Sequence, residues 1–79
     1  TSGWKELRDL LQKQEFKCPY TGDTIVIGEN ASLDHITPSS RGGQSTIDNL
    51  QWVTATVNNA KRDLNHDEFV ELIVKIANN

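Results

Sequence analysis

The sequence predicts an α+β fold: a β-hairpin, a long loop and a short helix, flanked by an N-terminal and a C-terminal helix. Three observations predict it. Trp4, Leu7, Leu10 and Leu11 near the start, and Phe69, Leu72, Ile73 and Ile76 near the end, recur at spacings of three and four, the stripe of a helix with one apolar face. Residues 24–27 (Thr, Ile, Val, Ile) are β-rich, and in residues 31–36 Ala31, Leu33 and His35 alternate with Ser32, Asp34 and Ile36, the period of a strand. Residues 37–45 hold a proline, several serines and threonines, Arg41 and the pair Gly42-Gly43, which can continue neither strand nor helix.

Taken in order, Ser2 is placed to cap the first helix, and Cys18 to Asp23, with Pro19 and Gly22, must turn the chain. Gly28-Glu29-Asn30 reads as the hairpin tip, joining 24–27 to the strand that carries Asp34 and His35. In a regular strand those two side chains point to opposite faces, so the strand must bend or end there if both serve one site. After the surface loop, Thr54 can cap a short helix through Ala55, Val57, Asn58 and Lys61 to about Asp63. Asn65 with Glu68 three residues on is a capping-box pattern, and the helix it starts should pack through Phe69, Leu72, Ile73 and Ile76. Trp4 and Trp52 each fall in an apolar pattern and read as packing residues, while Tyr20 suits either packing or a bond to a backbone carbonyl.

Composition narrows the function classes. Seventy-nine residues leave room for one domain, 1–79, and with 35% hydrophobic residues its core must be small. Eight Lys plus Arg against eleven Asp plus Glu give a net charge of −3, which opposes binding of nucleic acid by bulk positive charge. The acidity is concentrated in residues 63–79, at −3, while residues 32–62 carry +1, and a divalent cation beside Asp34 would make that stretch +3. A single cysteine, Cys18, excludes an internal disulfide and a four-cysteine zinc site. With no apolar run of membrane-spanning length and no signal-peptide pattern, the chain reads as soluble and intracellular, cytoplasmic, with no membrane partner.

The predicted strand, glycine-bearing loop and short helix gather Asp34, His35, Asn49 and Asn58 in one unit. Those side chains suit metal-assisted phosphodiester hydrolysis, which needs an activated water and charge stabilisation on the phosphoryl and leaving oxygens. A neutral imidazole takes a proton near pH 7, and a carboxylate with an amide oxygen holds Mg²⁺ or Mn²⁺ while leaving positions for water and phosphate. Each residue alone has a plainer reading: His35 as a hydrogen-bonded structural histidine, Asn49 as a turn or cap residue, Asn58 and Asn59 as solvated helix positions. Arg41, Lys61 and Arg62 form the only basic cluster near the site, placed either to contact nucleic-acid phosphates or simply as solvated charges.

Leu33-Asp34-His35-Ile36-Thr37-Pro38, then Gly42-Gly43, then Asp48-Asn49-Leu50, then Asn58-Asn59-Ala60-Lys61 resemble, in that order, the His-Asn-His (HNH) endonucleases and their ββα-metal fold. The resemblance spans residues 18–64. It implies a DNA endonuclease in which His35 is the general base, Asp34 and Asn58 hold the divalent metal, and Asn49 fixes the loop and helps orient the histidine: a His-Asn-Asn variant. It further implies nicking of one strand per site, 3′-hydroxyl and 5′-phosphate products, a DNA partner with RNA not excluded, and a monomer, weak homodimer or part of a larger protein. Many relatives brace this unit with a zinc ion on two Cys-x-x-Cys pairs. The corresponding positions here resemble Cys18 with Thr21, and Thr54 with Val57, so no structural zinc is expected, and Leu7, Leu10, Leu11, Phe69, Leu72 and Ile73 are expected to do the bracing. Two rival readings stay open at this point: a catalytically inactive nucleic-acid-binding module on the same scaffold, and a structural domain built on zinc.

Overall fold

A strand needs a partner for its backbone, and the identity of that partner sets the whole architecture. In a computed structural model describing residues 3–79, the elements run α1 (Trp4–Lys13), β1 (Ala31–His35), β2 (Leu50–Thr54), α2 (Ala55–Lys61) and α3 (His66–Ala77), with short 3-10 turns at Ser39–Arg41 and Ile47–Asn49. The strands form one antiparallel pair with Leu33 opposite Trp52, Asp34 opposite Gln51 and His35 opposite Leu50. The α+β class and the order hairpin, helix, flanking helices are as the sequence predicts, but the hairpin is a different one. Its strands are 31–35 and 50–54, and the long loop is its connection rather than a segment that follows it.

Residues 24–27 do not form a strand because their polar groups are taken locally. Asn30 accepts from Val26 N–H through Oδ1 (2.7 Å) and donates from Nδ2 to the Thr24 carbonyl (2.9 Å), while the Val26 carbonyl accepts from the N–H groups of Glu29, Asn30 and Ala31. Only a single bridge, Lys17 to Thr24, remains of sheet pairing there. Ile25 is the one side chain of the segment that is buried, and Val26 and Ile27 face solvent. On the open edge of β2, Gln14 acts as a substitute strand: its amide accepts from Trp52 N–H and donates to the Trp52 carbonyl, both at 2.8 Å.

The core is Leu11, Cys18, Ile25, Trp52, Val53, Val57 and Phe69, with Leu7, Leu10, Tyr20 and Leu64 packed at its margin. Trp52 is anchored at its polar end, donating from Nε1 to the Leu7 carbonyl (2.7 Å). Two expectations of packing fail. Trp4, at the first turn of α1, is 55% exposed. In α3 the last buried residue is Phe69, and Leu72, Ile73 and Ile76 are exposed. The physical reason is length: twelve residues of helix extend about 18 Å, and a body built on two five-residue strands ends after the first turn and a half. The bracing falls to Leu7, Leu10, Leu11 and Phe69. Ser2, expected as the cap of α1, lies outside the described residues, and the N-cap position is held by Gly3 with no side-chain bond.

α3 starts with the capping box the sequence suggests. Asn65 Oδ1 accepts from Glu68 N–H (2.9 Å) and Glu68 Oε1 accepts from Asn65 N–H (3.0 Å). The same Glu68 oxygen pairs with Arg41 of the loop, which ties loop and helix together. The Asn65 backbone bond, with the Arg41 bond second, holds the Glu68 carboxyl below the usual glutamate value. Replacing Asn65 with alanine is expected to cost about 1 kcal/mol of stability. The advantage of the native protein over Glu68→Gln should be full above the ordinary glutamate pKa of about 4.3 and vanish as pH falls through the lowered folded value; thermal melts from pH 7 to pH 2 measure it.

Candidate active site

The end of β1 and the face of α2 meet at a cavity of about 280 Å³ lined by Asp34, His35, Pro38, Asn58, Arg62 and Asp63 among others. Asp34 and His35 leave the strand on opposite sides, as alternation requires, but β1 ends at His35, so both reach the one cavity. Asn58 arrives from α2, whose start is fixed by Thr54: its hydroxyl accepts from Val57 N–H at 3.2 Å. The three residues proposed for metal and base therefore line one cavity, and Asn49 does not line it.

Asn49 staples the loop to the strand end. Its Oδ1 accepts from Thr37 N–H (2.9 Å), and its Nδ2 donates to the carbonyls of Thr37 (3.0 Å) and Gln44 (2.8 Å). The Asn49 carbonyl also accepts from Ile36 N–H (2.8 Å), so the residue next to His35 is held by the same asparagine. The paired glycines have separate reasons. Gly42 has φ of 89°, a left-handed conformation that closes the 3-10 turn. A Cβ on Gly43 would overlap the Thr37 carbonyl. His35 Nε2 lies 3.0 Å from Ser45 Oγ, a partner that no spacing in the sequence signals.

The basic cluster is divided by the fold. Lys61, expected as a phosphate contact, has no exposed surface at all: it lies one turn beyond Val57 on the buried face of α2, with Nζ 3.2 Å from Asp34 Oδ1, 3.1 Å from Oδ2 and 3.0 Å from the His35 carbonyl. It is the counter-ion of Asp34, itself only 3% exposed. Arg41 is exposed but paired with Glu68. Arg62 is exposed at the cavity and sits at φ 52°, ψ −123°, values of the first central residue of a type II′ turn, which Leu64 N–H closes on the Lys61 carbonyl (3.0 Å). That backbone is strained for any residue but glycine.

The donor set fits a hard divalent cation. Asn58 Nδ2 donates to Ser32 Oγ (2.6 Å) and to the Leu33 carbonyl (3.3 Å), and because a carbonyl only accepts, the amide orientation is settled. That leaves Oδ1, the atom Mg²⁺ or Mn²⁺ takes, away from those bonds. Of about four acceptor positions on a carboxylate, Asp34 uses one on Oδ1 for the bond from Lys61 and one on Oδ2 for the bond from Gln51 Nε2 (2.8 Å). Among the described residues no three His, Cys, Asp or Glu side chains stand together as a metal-binding group. Cys18, one of the positions compared above with the zinc ligands of relatives, is buried in the core. Burial raises its thiol pKa, but hydrogen bonds with the backbones of Thr54, Tyr20 and Thr21 and with the Thr21 side chain bring it below the ordinary value. Val57 fills the remaining space in the same core.

Removing one partner of a buried ion pair strands the other charge in a medium that solvates it poorly, at about 3–5 kcal/mol. Lys61→Met should lose stability of that order in urea denaturation at pH 7, and much more than Arg62→Met, whose side chain is solvated. Gly43→Ala should likewise lower the melting temperature, since the Thr37 carbonyl must move.

No curated protein matches this chain. Among the described residues, no helix is long and apolar enough to cross a membrane. A family model described as HNH endonuclease matches residues 18–65, more than half the sequence and the whole of the stretch that builds the cavity. With the two-stranded hairpin leading into a short helix, the chain belongs to the HNH endonuclease family, hydrolases of nucleic-acid phosphodiester bonds that use a divalent metal.

Proposed function

We propose that residues 1–79 act as one nuclease domain that nicks DNA one strand at a time, with His35 as general base and Asp34 and Asn58 as ligands of a Mg²⁺ or Mn²⁺ ion. The observation that carries this reading is convergence: Asp34 and His35 at the end of β1 and Asn58 in α2 border one cavity. When bound, the cation would stabilise charge on the phosphoryl and leaving oxygens.

The protein's own groups supply the rest. In the tautomer that gives Nε2–H to Ser45 Oγ, His35 keeps its lone pair at Nδ1, the atom that would take a proton from the attacking water. Ser45 and Asn49 are positioning residues: the first holds the imidazole through Nε2 and the second holds the chain that follows the histidine. Arg62 at the cavity rim meets the DNA backbone, whereas Arg41 reaches a phosphate only by releasing Glu68. One cavity on one chain attacks one phosphodiester, so a double-strand break takes two events or two copies.

Supercoiled plasmid incubated with the protein should convert to open circles before any linear form appears, with Mg²⁺ or Mn²⁺ and not with chelator. His35→Ala should abolish nicking with an unchanged melting temperature; nicking at the native rate would remove His35 from the mechanism. Binding of DNA without cleavage under any divalent metal would instead favour an inactive nucleic-acid-binding module. Arg62→Ala should weaken DNA binding evenly across sequences and reduce the slope of log affinity against log salt by about 1.

A further inference from the structure

Asp34 is held from two sides. Lys61 approaches from α2, and on the other side Gln51 stands directly across the ladder, its Nε2 2.8 Å from Asp34 Oδ2 and 3.0 Å from the Tyr20 hydroxyl. The Tyr20 hydroxyl lies in turn 2.8 Å from Nδ1 of His66. The direction of each Gln51 bond follows from what the groups can do. An amide nitrogen only donates, so both Gln51 bonds run outward, one to the carboxylate and one to the phenol. The Tyr20 oxygen accepts from Gln51 and is bonded to His66 Nδ1, as donor or acceptor according to the imidazole tautomer, so the chain runs Asp34 ← Gln51 → Tyr20 ··· His66.

Burial pushes the Tyr20 phenol up, with the Gln51 bond working against the rise and the Asp34 charge adding to it, so the hydroxyl keeps its proton. The Tyr20 ring is fixed by an edge-on contact with Phe69, centroids 5.0 Å apart at 86°, and lies 5.6 Å from the His66 ring. If the Gln51 amide turned over, its oxygen would face the Asp34 carboxylate, two acceptors with no hydrogen between them. Neither Gln51, Tyr20 nor His66 lines the cavity.

We propose that Gln51, oriented by Tyr20 and His66, is the positioning residue that presents the Asp34 carboxylate to the metal. The proposal rests on Asp34 being a metal ligand, as argued above. Without the amide, Asp34 Oδ2 keeps only the ammonium of Lys61, and the carboxylate is drawn to that side. Partners one bond removed from a metal ligand typically change metal affinity or activity by about 10–100-fold.

The test compares the native protein with Asp34→Asn, Gln51→Leu and Tyr20→Phe, reading Mn²⁺ affinity by calorimetry or electron paramagnetic resonance, melting temperature, and plasmid nicking as a function of Mn²⁺ and DNA concentration. Gln51→Leu should bind Mn²⁺ about 10–100-fold more weakly, with kcat reduced at fixed Mn²⁺, KM for DNA unchanged, and activity recovered at high Mn²⁺. Tyr20→Phe should shift in the same direction by less, and it decides the matter alone should Gln51→Leu fail to fold. Native Mn²⁺ affinity in both variants, with binding lost in Asp34→Asn, would overturn the role of Gln51 and leave the metal site standing. Native affinity in Asp34→Asn would overturn the metal site itself.

Discussion

The buried pair of Asp34 and Lys61 is the contact on which the rest of the site depends. Two full charges sit where water does not reach, one at the end of β1 and one at the end of α2, and neither tolerates the loss of the other. Because the ammonium also donates to the His35 carbonyl, one lysine holds the side chain of Asp34 and the backbone of His35. Asn58 and Lys61 are three apart on a helix and so share a face; seating the lysine against Asp34 brings the asparagine over Ser32 and Leu33. The register of helix on strand and the geometry of the cavity are thus one fact.

A unit this small also has to be braced from outside, and here the bracing is by packing and main-chain pairing. α1 delivers Leu11 to the core, a carbonyl to the Trp52 indole and the Gln14 amide to the edge of β2. Cys18 contributes as a buried, hydrogen-bonded thiol beside Val57. From the other end, α3 is joined to the loop by Arg41 and Glu68, to the residue just past β1 by the bond from His66 N–H to the Ile36 carbonyl (3.2 Å), and to the core by Phe69.

What was legible in the sequence is what local chemistry decides. Thr54 caps α2, Asn65 and Glu68 box α3, and the stretch with Gly42-Gly43 leaves strand and long helix because each effect operates within a few residues. The order Asp34-His35, Asn49, Asn58 likewise marked the residues that border or support the cavity. Misjudged features were those settled by distant partners. Residues 24–27 have strand composition, but Asn30 satisfies their backbone first. Lys61 in the last turn of a helix has the pattern of a solvated charge until β1 places a carboxylate beneath it. Gln51, Tyr20 and Ser45 are ordinary polar residues at unremarkable spacings, and Gln51 gains meaning only when the register sets it opposite Asp34.

The far half of α3 stands clear of the body. From Val70 onward every residue is exposed, and everything that anchors the helix lies in its first turns. A peptide tag, a fluorophore on an introduced thiol or a second protein grafted onto that stem would ride on a stiff rod pointing off the catalytic body, reporting on or redirecting the nuclease without disturbing the hydrogen bonds at its centre.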